Sequence, residues 1–396
     1  MSKRLQLGMA GGGEGAFIGA VHRMAAALDG RFELCCGAFS RDADNCQATG
    51  TLLGLDARRC YSSFEAMIES ELLRGAEGDD DAMQCLSIVT PNHLHVPMAL
   101  AAAHAGFAVM SDKPAGISLA EVEQLAEALA ESGSAYGLTH TYLGYPMVWQ
   151  ARHIAAQESF GPVRKVMVEY SQGWLASQLE AGGNRQAEWR VDPALAGPAG
   201  GLGDIGSHAH SLTEFVTNSR MNALSASLRS HYSGRTLDDD GEIRFTLENG
   251  GTGTLMSSQI CTGEENNLTI RLYGTNAGLE WRQMEPNSLI ERRSNGEVLV
   301  HRAGIDKPLC EQALARCRLP SGHPEGYIEA FANLYRDFAA ALADKVSPAA
   351  RGVPGIAEAL RGMAFLEAAI ESDGAGGSWR DIKPPSAGAD RRGLLA

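Results

Sequence analysis

The sequence predicts an α/β fold in which an N-terminal domain with a parallel sheet precedes an α+β domain built on an open, mainly antiparallel sheet. Over the first 145 residues, short apolar runs alternate with helical patterns, as in parallel strands joined by crossover helices. Between residues 223 and 301, strand patterns are separated by turn residues at hairpin spacing, which indicates antiparallel pairing. We therefore expect two domains, residues 1–145 and 146–383, and a flexible C-terminal tail over 384–396.

The elements of the N-terminal domain follow one another in a regular order. Its helices are predicted to begin at Ala16, at Ser62, after Asn92 and at Ser118. The second and fourth of these helices start with a serine three residues before a glutamate, which is the spacing of a capping box. The predicted strands cover residues 5–10, 32–39, 83–89, 107–111 and 135–139.

The C-terminal domain changes from crossover units to a series of strands. A helix over residues 148–157 comes first, and helices over 324–343 and 356–372 come last. Turn signals such as Asn249-Gly250-Gly251 separate the strand patterns. The predicted strands cover residues 163–170, 242–247, 252–260, 268–273, 278–282 and 298–302.

Composition excludes several classes of function. The chain has 48 acidic and 34 basic residues and a formal charge of −14, so we expect neither nucleic acid nor anionic lipid as a partner. No apolar run reaches the ~18 residues of a membrane span, and the basic start lacks the apolar core of a signal peptide. We therefore expect a cytoplasmic protein. The eight cysteines form no CxxC pair and no cluster with zinc spacing, which predicts reduced, structural thiols and no metal site.

A glycine-rich segment separates the first predicted strand from the first helix. Glycine allows a positive φ and a close approach of the backbone to a pyrophosphate, while the helix start offers unpaired amides to that anion. In this position the segment predicts a dinucleotide-binding loop in preference to a flexible surface turn. Its sequence is Gly11-Gly12-Gly13-Glu14-Gly15-Ala16-Phe17-Ile18-Gly19, and the residues that we assign to the cofactor are Gly11, Gly13, Gly15, Ala16, Phe17 and Ile18.

The end of the second predicted strand bears on the choice between NAD and NADP. An acidic residue there binds the ribose 2′-hydroxyl, whereas small and basic residues accept a 2′-phosphate. Ser40 and Arg41 occupy this corner, which favours NADP. Alternatively, Arg41 and Asp42 start the next helix, with Asp42 or Asp44 as its cap.

Further polar segments follow strands of the predicted parallel sheet. Thr90, Asn92 and His95 come after one strand, and Asp112 and Lys113 come after the next. Since ligands bind at the carboxyl ends of parallel strands, we expect these residues to face the cofactor crevice.

The second domain contains a polar segment of its own, from Gly200 to His210. Within it Asp204 and His208 are four residues apart. On a helix these two side chains would share one face and present a carboxylate and an imidazole together.

These motifs make the chain similar to the glucose–fructose oxidoreductase and inositol dehydrogenase family, Gfo/Idh/MocA, over nearly its whole length. Asp112-Lys113-Pro114 resembles the family's Glu-Lys-Pro motif, and Asp204-Ile205-Gly206-Ser207-His208 resembles its Asp-x-Gly-x-His motif. The resemblance implies a Rossmann domain that binds NAD(P), followed by a domain for substrate binding and oligomerisation. It implies a catalytic group of Lys113, Asp204 and His208. Tyr142, Trp189 and Arg190 lie in segments that commonly approach the active site in this family.

The chain departs from the family pattern at three places. The glycine-rich loop is longer than Gly-x-Gly-x-x-Gly, so which glycines contact phosphate stays open. Asp112 is one methylene shorter than the usual glutamate. After His208 the chain has Ala209-His210-Ser211 where the family often has Ala-x-Asp, which leaves the substrate's identity open.

Alcohol oxidation suggests a role for each residue of the catalytic group. His208, with an ordinary pKa near ~6.5, would take the hydroxyl proton, and Lys113 would stabilise developing negative charge on the substrate oxygen. Asp204 would hold substrate hydroxyls or orient the other two. The structural alternatives are a solvated lysine, an aspartate that caps a helix, and a core histidine, with His210 then as the functional one.

The substrate residues likewise have two interpretations. Trp189 would pack on the apolar face of a sugar, or would belong to loop packing. Arg190 would bind a substrate oxygen or carboxylate, or would be a surface charge.

The leading hypothesis is an NAD(P)-dependent dehydrogenase that acts on a hydroxyl carbon of a sugar, inositol or related polyol, with NADP favoured. A second is a redox-neutral, glycosidase-like enzyme in which the cofactor oxidises and then re-reduces the sugar. A third is a non-catalytic sensor of the dinucleotide. The open sheet also predicts a homodimer or homotetramer, because an exposed apolar sheet face is usually buried by a partner subunit.

Overall fold

The chain forms two compact units in the computed structural model, which describes residues 3–383 except for the side chain of Arg185. The first unit contains residues 3–139 and 331–360, and the second contains 140–330 and 361–383. The tail predicted over 384–396 lies outside the described residues.

The first unit is built on a five-stranded parallel sheet, as the alternation of strands and helices predicted. The strand order is β2-β1-β3-β4-β5, and each pair of neighbours is parallel. The strands are β1 (Leu5–Gly11), β2 (Phe32–Ala38), β3 (Cys85–Val89), β4 (Ala108–Ser111) and β5 (Tyr136–Leu138). The helices between them are α1 (Phe17–Leu28), α2 (Ala43–Leu52), α3 (Phe64–Ala76), α4 (His95–His104) and α5 (Leu119–Ser132).

The strand order of this sheet reverses beside β1. The chain passes from β1 to β2 on one side and then to β3 on the other, and the last residues of β1 and β3, Gly11 and Val89, are partners. Such a switch point leaves a crevice at the carboxyl ends of the two strands, which is where open α/β sheets bind ligands. The topology therefore predicts a ligand site at the loops that follow β1 and β3.

One of the two predicted capping boxes is shifted by a residue. Ser118 caps α5, where its hydroxyl accepts a hydrogen bond from the Glu121 amide at 3.3 Å, as predicted. The cap of α3 is Ser63 and not Ser62, because Ser63 has the extended backbone of a cap residue and its hydroxyl accepts from the Ala66 amide at 3.1 Å.

The second unit contains a nine-stranded sheet that is mainly antiparallel, as predicted. The order is β13-β12-β11-β10-β6-β9-β8-β7-β14, in which β6 and β9 are parallel and the other neighbours are antiparallel. The strands are β6 (Lys165–Ser171), β7 (Met221–Arg229), β8 (Asp240–Leu247), β9 (Thr252–Ser258), β10 (Asn267–Tyr273), β11 (Ala277–Arg282), β12 (Ser288–Arg293), β13 (Val298–Arg302) and β14 (Arg380–Asp381).

One strand that the sequence analysis did not assign is β12. Its glutamate and two arginines hide the alternation that marks a half-buried strand. In the fold, Glu291 turns to the covered face and is paired there with Arg293 and His301, at 2.7 and 2.8 Å. Pairing of the charges therefore allows a buried polar position that sequence alone does not show.

Helices cover one face of this sheet, and the described residues leave side chains exposed on the other, which we call the open face. α6 (Pro146–Ala155) lies against β11 and β12, and α9 (Ser207–Thr217) lies against β6, β9 and β10. The open face carries the half-exposed or exposed side chains of Met167, Tyr273 and Val300. The remaining helices are α7 (Arg185–Arg190), α8 (Pro193–Ala196), α10 (Glu311–Leu314), α11 (Tyr327–Asp344) and α12 (Ile356–Gly374). Within residues 3–383, the helices are all too short or too polar to cross a bilayer.

Candidate active site

The glycine-rich loop follows β1 at the switch point of the parallel sheet. Gly11, Gly12 and Gly15 have φ values of 84°, 73° and 86°, a region that favours glycine. At Gly15 a Cβ would meet no atom of the described residues within 4 Å, so this part of the loop borders open space. The loop therefore offers an open backbone cradle at the N-terminus of α1, as an anionic ligand requires.

Two glycines, Gly12 in the loop and Gly19 in α1, allow the loop to pack closely against this helix. A Cβ at Gly19 would lie 2.3 Å from the Cα of Gly12, and one at Gly12 would lie 2.8 Å from the Cα of Gly19. The carbonyl of Gly12 also accepts a hydrogen bond of 2.7 Å from Arg23, one turn further along α1. Gly12, Gly19 and Arg23 were not among the predicted site residues, although the spacing of glycines was a visible signal for the first two.

The residues after β2 form a small polar corner. The hydroxyl of Ser40 accepts a hydrogen bond of 3.1 Å from the Asp42 amide, and Arg41 is exposed. The Asp42 carboxylate caps α2 by accepting from the amides of Asp44 and Asn45. The alternative that Asp42 is a cap is therefore confirmed, and Ser40 and Arg41 remain the candidates for contact with the ribose.

His95 links the loops that follow β3 and β4. Its Nε2 lies 2.8 Å from the carbonyl of Thr90, and its Nδ1 lies 2.7 Å from the carbonyl of Pro114. The ring is buried, and burial lowers the pKa of His95. His95 and the nearby Asn92 are both buried, so they support the loop that carries Thr90, and the predicted contact of these three residues with the cofactor stays a prediction.

The loop after β4 holds Lys113 beside a carboxylate that is directed inward. One oxygen of Asp112 accepts from the Lys113 amide at 2.9 Å and from the Thr139 hydroxyl at 2.8 Å. The Lys113–Pro114 bond is cis, and Lys113 is half-buried. The shorter Asp112 therefore fixes the backbone that presents the lysine.

In the second unit the motif with Asp204 and His208 spans a change of helix type. Asp204 lies in a π-helical turn (Leu202–Gly206), and His208 lies in the first turn of α9. The loop before it is held by Asp238, whose carboxylate accepts from the amides of Gly200 and Leu202, both at 2.6 Å. A Cβ at Gly200 would lie 2.2 Å from the Asp238 carbonyl, so the glycine permits this close approach.

The Asp204 carboxylate has partners from two other segments. It accepts a hydrogen bond of 2.9 Å from Gln259, and the Arg190 guanidinium lies 3.4 Å away. Arg190 is in turn flanked by the rings of Trp189 and Trp174, whose centroids are 4.2 and 5.7 Å from its Cζ. The structure thus brings the predicted Arg190, Trp189 and Asp204 together, with Arg190 paired instead of free on the surface.

Aromatic rings surround His208. The ring of Tyr142 meets it edge-on at 4.8 Å, and the ring of Tyr170 lies 6.2 Å away. The two tyrosine hydroxyls are hydrogen-bonded to each other, and both bond to Asn266, at 3.1 and 2.6 Å. His140 also contacts His208, through their Nδ1 atoms at 3.3 Å.

Two glutamine side chains lie beside this aromatic cluster, and they come from the ends of the parallel strands β6 and β9. Gln172 and Gln259 follow β6 and β9 directly, and their side chains meet at 3.3 Å. Gln172 also donates to Asn266 at 2.7 Å. A signal for these residues was present in the sequence, since each is a polar residue at a strand end, but their convergence depends on the parallel pairing of β6 with β9.

His210, the alternative candidate for the functional histidine, is packed in the protein interior. It is buried, its ring stacks on Phe365 at 4.4 Å, and its Nε2 lies 3.3 Å from Glu214. Burial by itself would raise the pKa of Glu214. The neighbouring His210 and Arg361 outweigh this effect and lower that pKa to about 2. This environment favours His208 over His210 as the reactive imidazole.

One group of potential metal ligands occurs in the first unit, formed by Cys35, Cys36 and Glu71. The Glu71 carboxylate already accepts hydrogen bonds from Arg59, Tyr61 and the Met83 amide, at 2.7–2.9 Å. The hydrogen bond between the two thiols of Cys35 and Cys36, together with burial, raises the pKa of the Cys36 thiol well above its ordinary value. A protonated thiol is a poor ligand, so these residues form a structural cluster.

Comparisons with known proteins agree with this architecture. Residues 5–140 match a model described as an oxidoreductase family with an NAD-binding Rossmann fold, and residues 148–280 match the GFO/IDH/MocA C-terminal domain. The chain is 31% identical over 393 residues to an uncharacterized oxidoreductase of Bacillus subtilis (strain 168), and the match covers 97% of this chain and 98% of that protein.

Solved structures agree in fold over nearly the full length of the chain. An inositol dehydrogenase homolog from Azotobacter vinelandii, complexed with NAD⁺, matches with a TM-score of 0.91 and 34% identity, covering 96% of this chain and 98% of that one. A complex of the Azotobacter vinelandii homolog with NADH and myo-inositol matches at 0.88 and 33%, with the same coverage. Both the sequence and the fold therefore show that this chain belongs to the Gfo/Idh/MocA family of NAD-binding oxidoreductases.

Proposed function

We propose that this NAD-binding dehydrogenase, which acts on CH–OH groups, oxidises a ring carbon of an inositol or of a related sugar or polyol. The observation that carries the proposal is the connected set of hydroxyl and amide groups in the second unit. Tyr142, Tyr170, Asn266 and Gln172 are joined by hydrogen bonds beside His208. Such groups both donate and accept, as a substrate with several hydroxyls requires.

Two charged groups extend this set. Asp204 would accept hydrogen bonds from one or two substrate hydroxyls, and Arg190, which lies against the rings of Trp174 and Trp189, would hold the Asp204 carboxylate in place. Trp189 would offer its ring to the apolar face of a sugar. The similarity to an inositol dehydrogenase homolog solved with NADH and myo-inositol supports the same substrate class.

We assign the chemistry to Lys113, Asp204 and His208. When bound, the nicotinamide accepts the two electrons and the hydrogen of the substrate C–H bond as a hydride. The hydroxyl proton moves to a ring nitrogen of His208, so that a carbonyl forms as both hydrogens leave. Lys113 would donate a hydrogen bond to the substrate oxygen and stabilise negative charge there.

The first unit fits the cofactor that this chemistry needs. The cradle at Gly15 is open, Gly11 ends β1 beside the end of β3, and α1 directs its first amides to the same loop. These features suit a pyrophosphate. We assign the predicted residues Gly11, Gly13, Gly15, Ala16, Phe17 and Ile18 to that contact.

Selectivity between the two nicotinamide cofactors would depend on the corner after β2. The Asp42 carboxylate is engaged as a helix cap, which leaves the Ser40 hydroxyl and the exposed Arg41 to meet the ribose. This arrangement favours acceptance of the 2′-phosphate of NADP. In parallel fluorescence titrations, we expect NADPH to bind at least as tightly as NADH, and Arg41→Ala to weaken NADPH binding by about tenfold.

An exposed arginine away from this corner provides the matched control. Arg31→Ala should leave both titrations unchanged. A wild-type protein that binds NADH much more tightly than NADPH would overturn the preference for NADP and leave the rest of the proposal intact.

The substrate proposal is tested by steady-state kinetics with myo-inositol and NAD⁺ or NADP⁺. We expect substrate-dependent reduction of the cofactor, with kcat lowered by roughly 10²–10⁴-fold in His208→Ala and in Lys113→Ala. Asp204→Asn should mainly raise KM. The exposed His153→Gln serves as a control and should behave as wild type.

Two outcomes would contradict this proposal. Unchanged turnover in His208→Ala and Lys113→Ala would remove the assigned roles. Conversion of a sugar without net reduction of the added cofactor, and with cofactor retained through purification, would favour the redox-neutral alternative.

We also propose that the open sheet face is an interface between copies of this chain. Met167, Tyr273, Val298 and Val300 are exposed on that face, between charged residues such as Arg271 and Glu280. Burial of such a face in a self-complementary contact is a common basis of homodimers. Sedimentation at micromolar concentration should show a dimer or tetramer, and a monomer throughout would refute this assignment.

A further inference from the structure

A pair of buried histidines lies in the second unit. The Nδ1 atoms of His140 and His208 are 3.3 Å apart, and the planes of the two rings are nearly perpendicular, at 83°. Their exposed fractions are 4% and 6%. His140 lies two residues after β5 and directly precedes a 3₁₀ turn (Thr141–Gly144), so regular backbone structure flanks it closely on both sides.

Contact between two Nδ1 atoms restricts how the pair can be protonated. A neutral imidazole has one N–H and one lone pair, so a hydrogen bond between the two rings requires that one donate and the other accept. If His208 donates from Nδ1, its Nε2 carries a lone pair and can accept a proton. If His140 donates, the Nε2 of His208 carries the hydrogen and cannot act as a base.

Two tyrosine hydroxyls beside the pair stay protonated. Burial raises the pKa of both Tyr142 and Tyr170, so their hydroxyls stay protonated. Tyr327, whose ring lies 6.3 Å from that of Tyr142, is a further hydroxyl of this region. The Asp204 carboxylate bonds to Gln259 and faces Arg190.

Further along α9, the titratable side chains contact one another. His210 and Glu214 are 3.3 Å apart, and Arg361 donates to Glu214 at 2.7 Å. His140, in contrast, contacts His208 directly, nitrogen to nitrogen.

We infer that His140 is a positioning residue that holds His208 in the Nδ1–H tautomer, with Nε2 ready to accept the substrate's hydroxyl proton. The inference rests on the proposed role of His208 as the base. In the oxidation, the substrate O–H bond breaks and an N–H bond forms at Nε2 of His208. The resulting imidazolium keeps its Nδ1–H bond to His140, whose lone pair stabilises the positive charge.

A pair of substitutions at position 140 separates this role from space filling. The Oδ1 of asparagine is as many bonds from Cα as the Nδ1 of histidine, so an asparagine side chain at this position can still accept from His208. Leucine fills similar space without an acceptor. With myo-inositol and NAD⁺, we expect His140→Asn to retain kcat within about threefold and His140→Leu to lose about tenfold or more, with the affinity for NADH unchanged in both.

The pH profile supplies a readout that a structural role would not change. In His140→Leu the loss of the acceptor destabilises the His208 imidazolium, so its pKa should fall, and the acidic limb of the kcat profile should move to lower pH. The asparagine variant should keep the wild-type limb. Equal losses in the two variants, or a wild-type profile in His140→Leu, would overturn the inference.

A second measurement does not depend on turnover. Two-bond ¹H–¹⁵N correlation spectra of protein labelled with [¹⁵N]histidine report the tautomer of each ring, and the His208 signals are identified by their loss in His208→Ala. We expect the Nδ1–H form in wild type and in His140→Asn, and the Nε2–H form in His140→Leu. A His208 ring in the Nε2–H form in wild type would contradict the inference, whereas retained turnover in His208→Ala would contradict only the proposed base.

Discussion

The Asp238 carboxylate accepts a hydrogen bond of 2.6 Å from the amide of Leu202, the first residue of the π-helical turn that contains Asp204. The same carboxylate accepts from the Gly200 amide, also at 2.6 Å. Two amides before the proposed catalytic residues are therefore held by a single side chain from the segment before β8. This contact connects the position of Asp204 and His208 to the fold of the sheet.

We expect Asp238→Ala to lower kcat and to destabilise the protein. Loss of the carboxylate leaves two backbone amides without their acceptor, and each unsatisfied amide costs about 1–3 kcal/mol. The measurements are urea unfolding and kcat with myo-inositol. Asp240→Ala, on the open face of the sheet, is the matched control and should change the free energy of unfolding little. A wild-type kcat in Asp238→Ala would show that this anchor does not position the catalytic turn.

Gly19→Ala should weaken cofactor binding. The new Cβ would lie 2.3 Å from the Cα of Gly12, so α1 must move away from the loop that we assign to the pyrophosphate. The measurement is the dissociation constant for NADH by fluorescence titration, where we expect about a tenfold increase or more.

The control for Gly19→Ala is a helical glycine in an open environment. At Gly362 in α12 a Cβ would meet no atom of the described residues within 4 Å. Gly362→Ala should therefore leave NADH binding unchanged and should stabilise the helix by up to about 1 kcal/mol. Equal NADH affinity in both variants would contradict the packing role of Gly19.

The buried His22 should make the protein less stable in weak acid. Its Nδ1 lies 2.7 Å from the Tyr335 hydroxyl and 3.1 Å from the Ser87 hydroxyl, and burial lowers the pKa of His22 from 6.5 to about 4. The folded state thus favours the neutral ring. The stability that this group contributes is present above pH 6.5 and is lost as the pH falls towards 4, because the unfolded chain binds the proton first.

Between pH 7.5 and pH 5 this linkage should remove on the order of 2 kcal/mol from the free energy of unfolding. Urea unfolding at the two pH values measures it. In His22→Asn, which keeps a polar atom near Tyr335, the loss should be smaller by that amount. The exposed His153→Asn should follow wild type, and a wild-type pH dependence in His22→Asn would rule out His22 as the source.

Glu71→Gln should be among the more destabilising substitutions in the first unit. The Glu71 side chain is fully buried, and its carboxylate neutralises Arg59, which is itself 10% exposed. Removing the charge leaves a buried guanidinium without its partner, which costs about 3–5 kcal/mol. Glu69→Gln, exposed on the same helix, is the control for urea unfolding. A loss below about 1 kcal/mol would contradict the pairing argument.

The cluster of Cys35, Cys36 and Glu71 is expected not to bind zinc. Because the Glu71 carboxylate is occupied by hydrogen bonds and the Cys36 thiol stays protonated, added Zn²⁺ should not raise the melting temperature of the wild-type protein. A rise in Tm that is abolished in Cys36→Ala would instead identify a zinc site.

Much of the architecture was predictable because it depends on local patterns. Alternating strands and helices predicted the parallel sheet, and closely spaced strands predicted the antiparallel one. The loop after β1 and the motif around Lys113 lie where strands end, so their positions could also be inferred. β12 was not predicted, because its charged residues do not resemble a half-buried strand until the folded sheet pairs them.

The sequence by itself determined the fold class, the family resemblance and the residues that we propose for the chemistry, since each depends on residue types at fixed spacing. Tertiary structure decided which groups meet. The contacts of His140 with His208, of Gln172 with Gln259 and of Gly12 with Gly19 join residues from different elements. The physical reason is that a hydrogen bond or a close approach depends on distance in space, and sequence spacing sets that distance only within a single element.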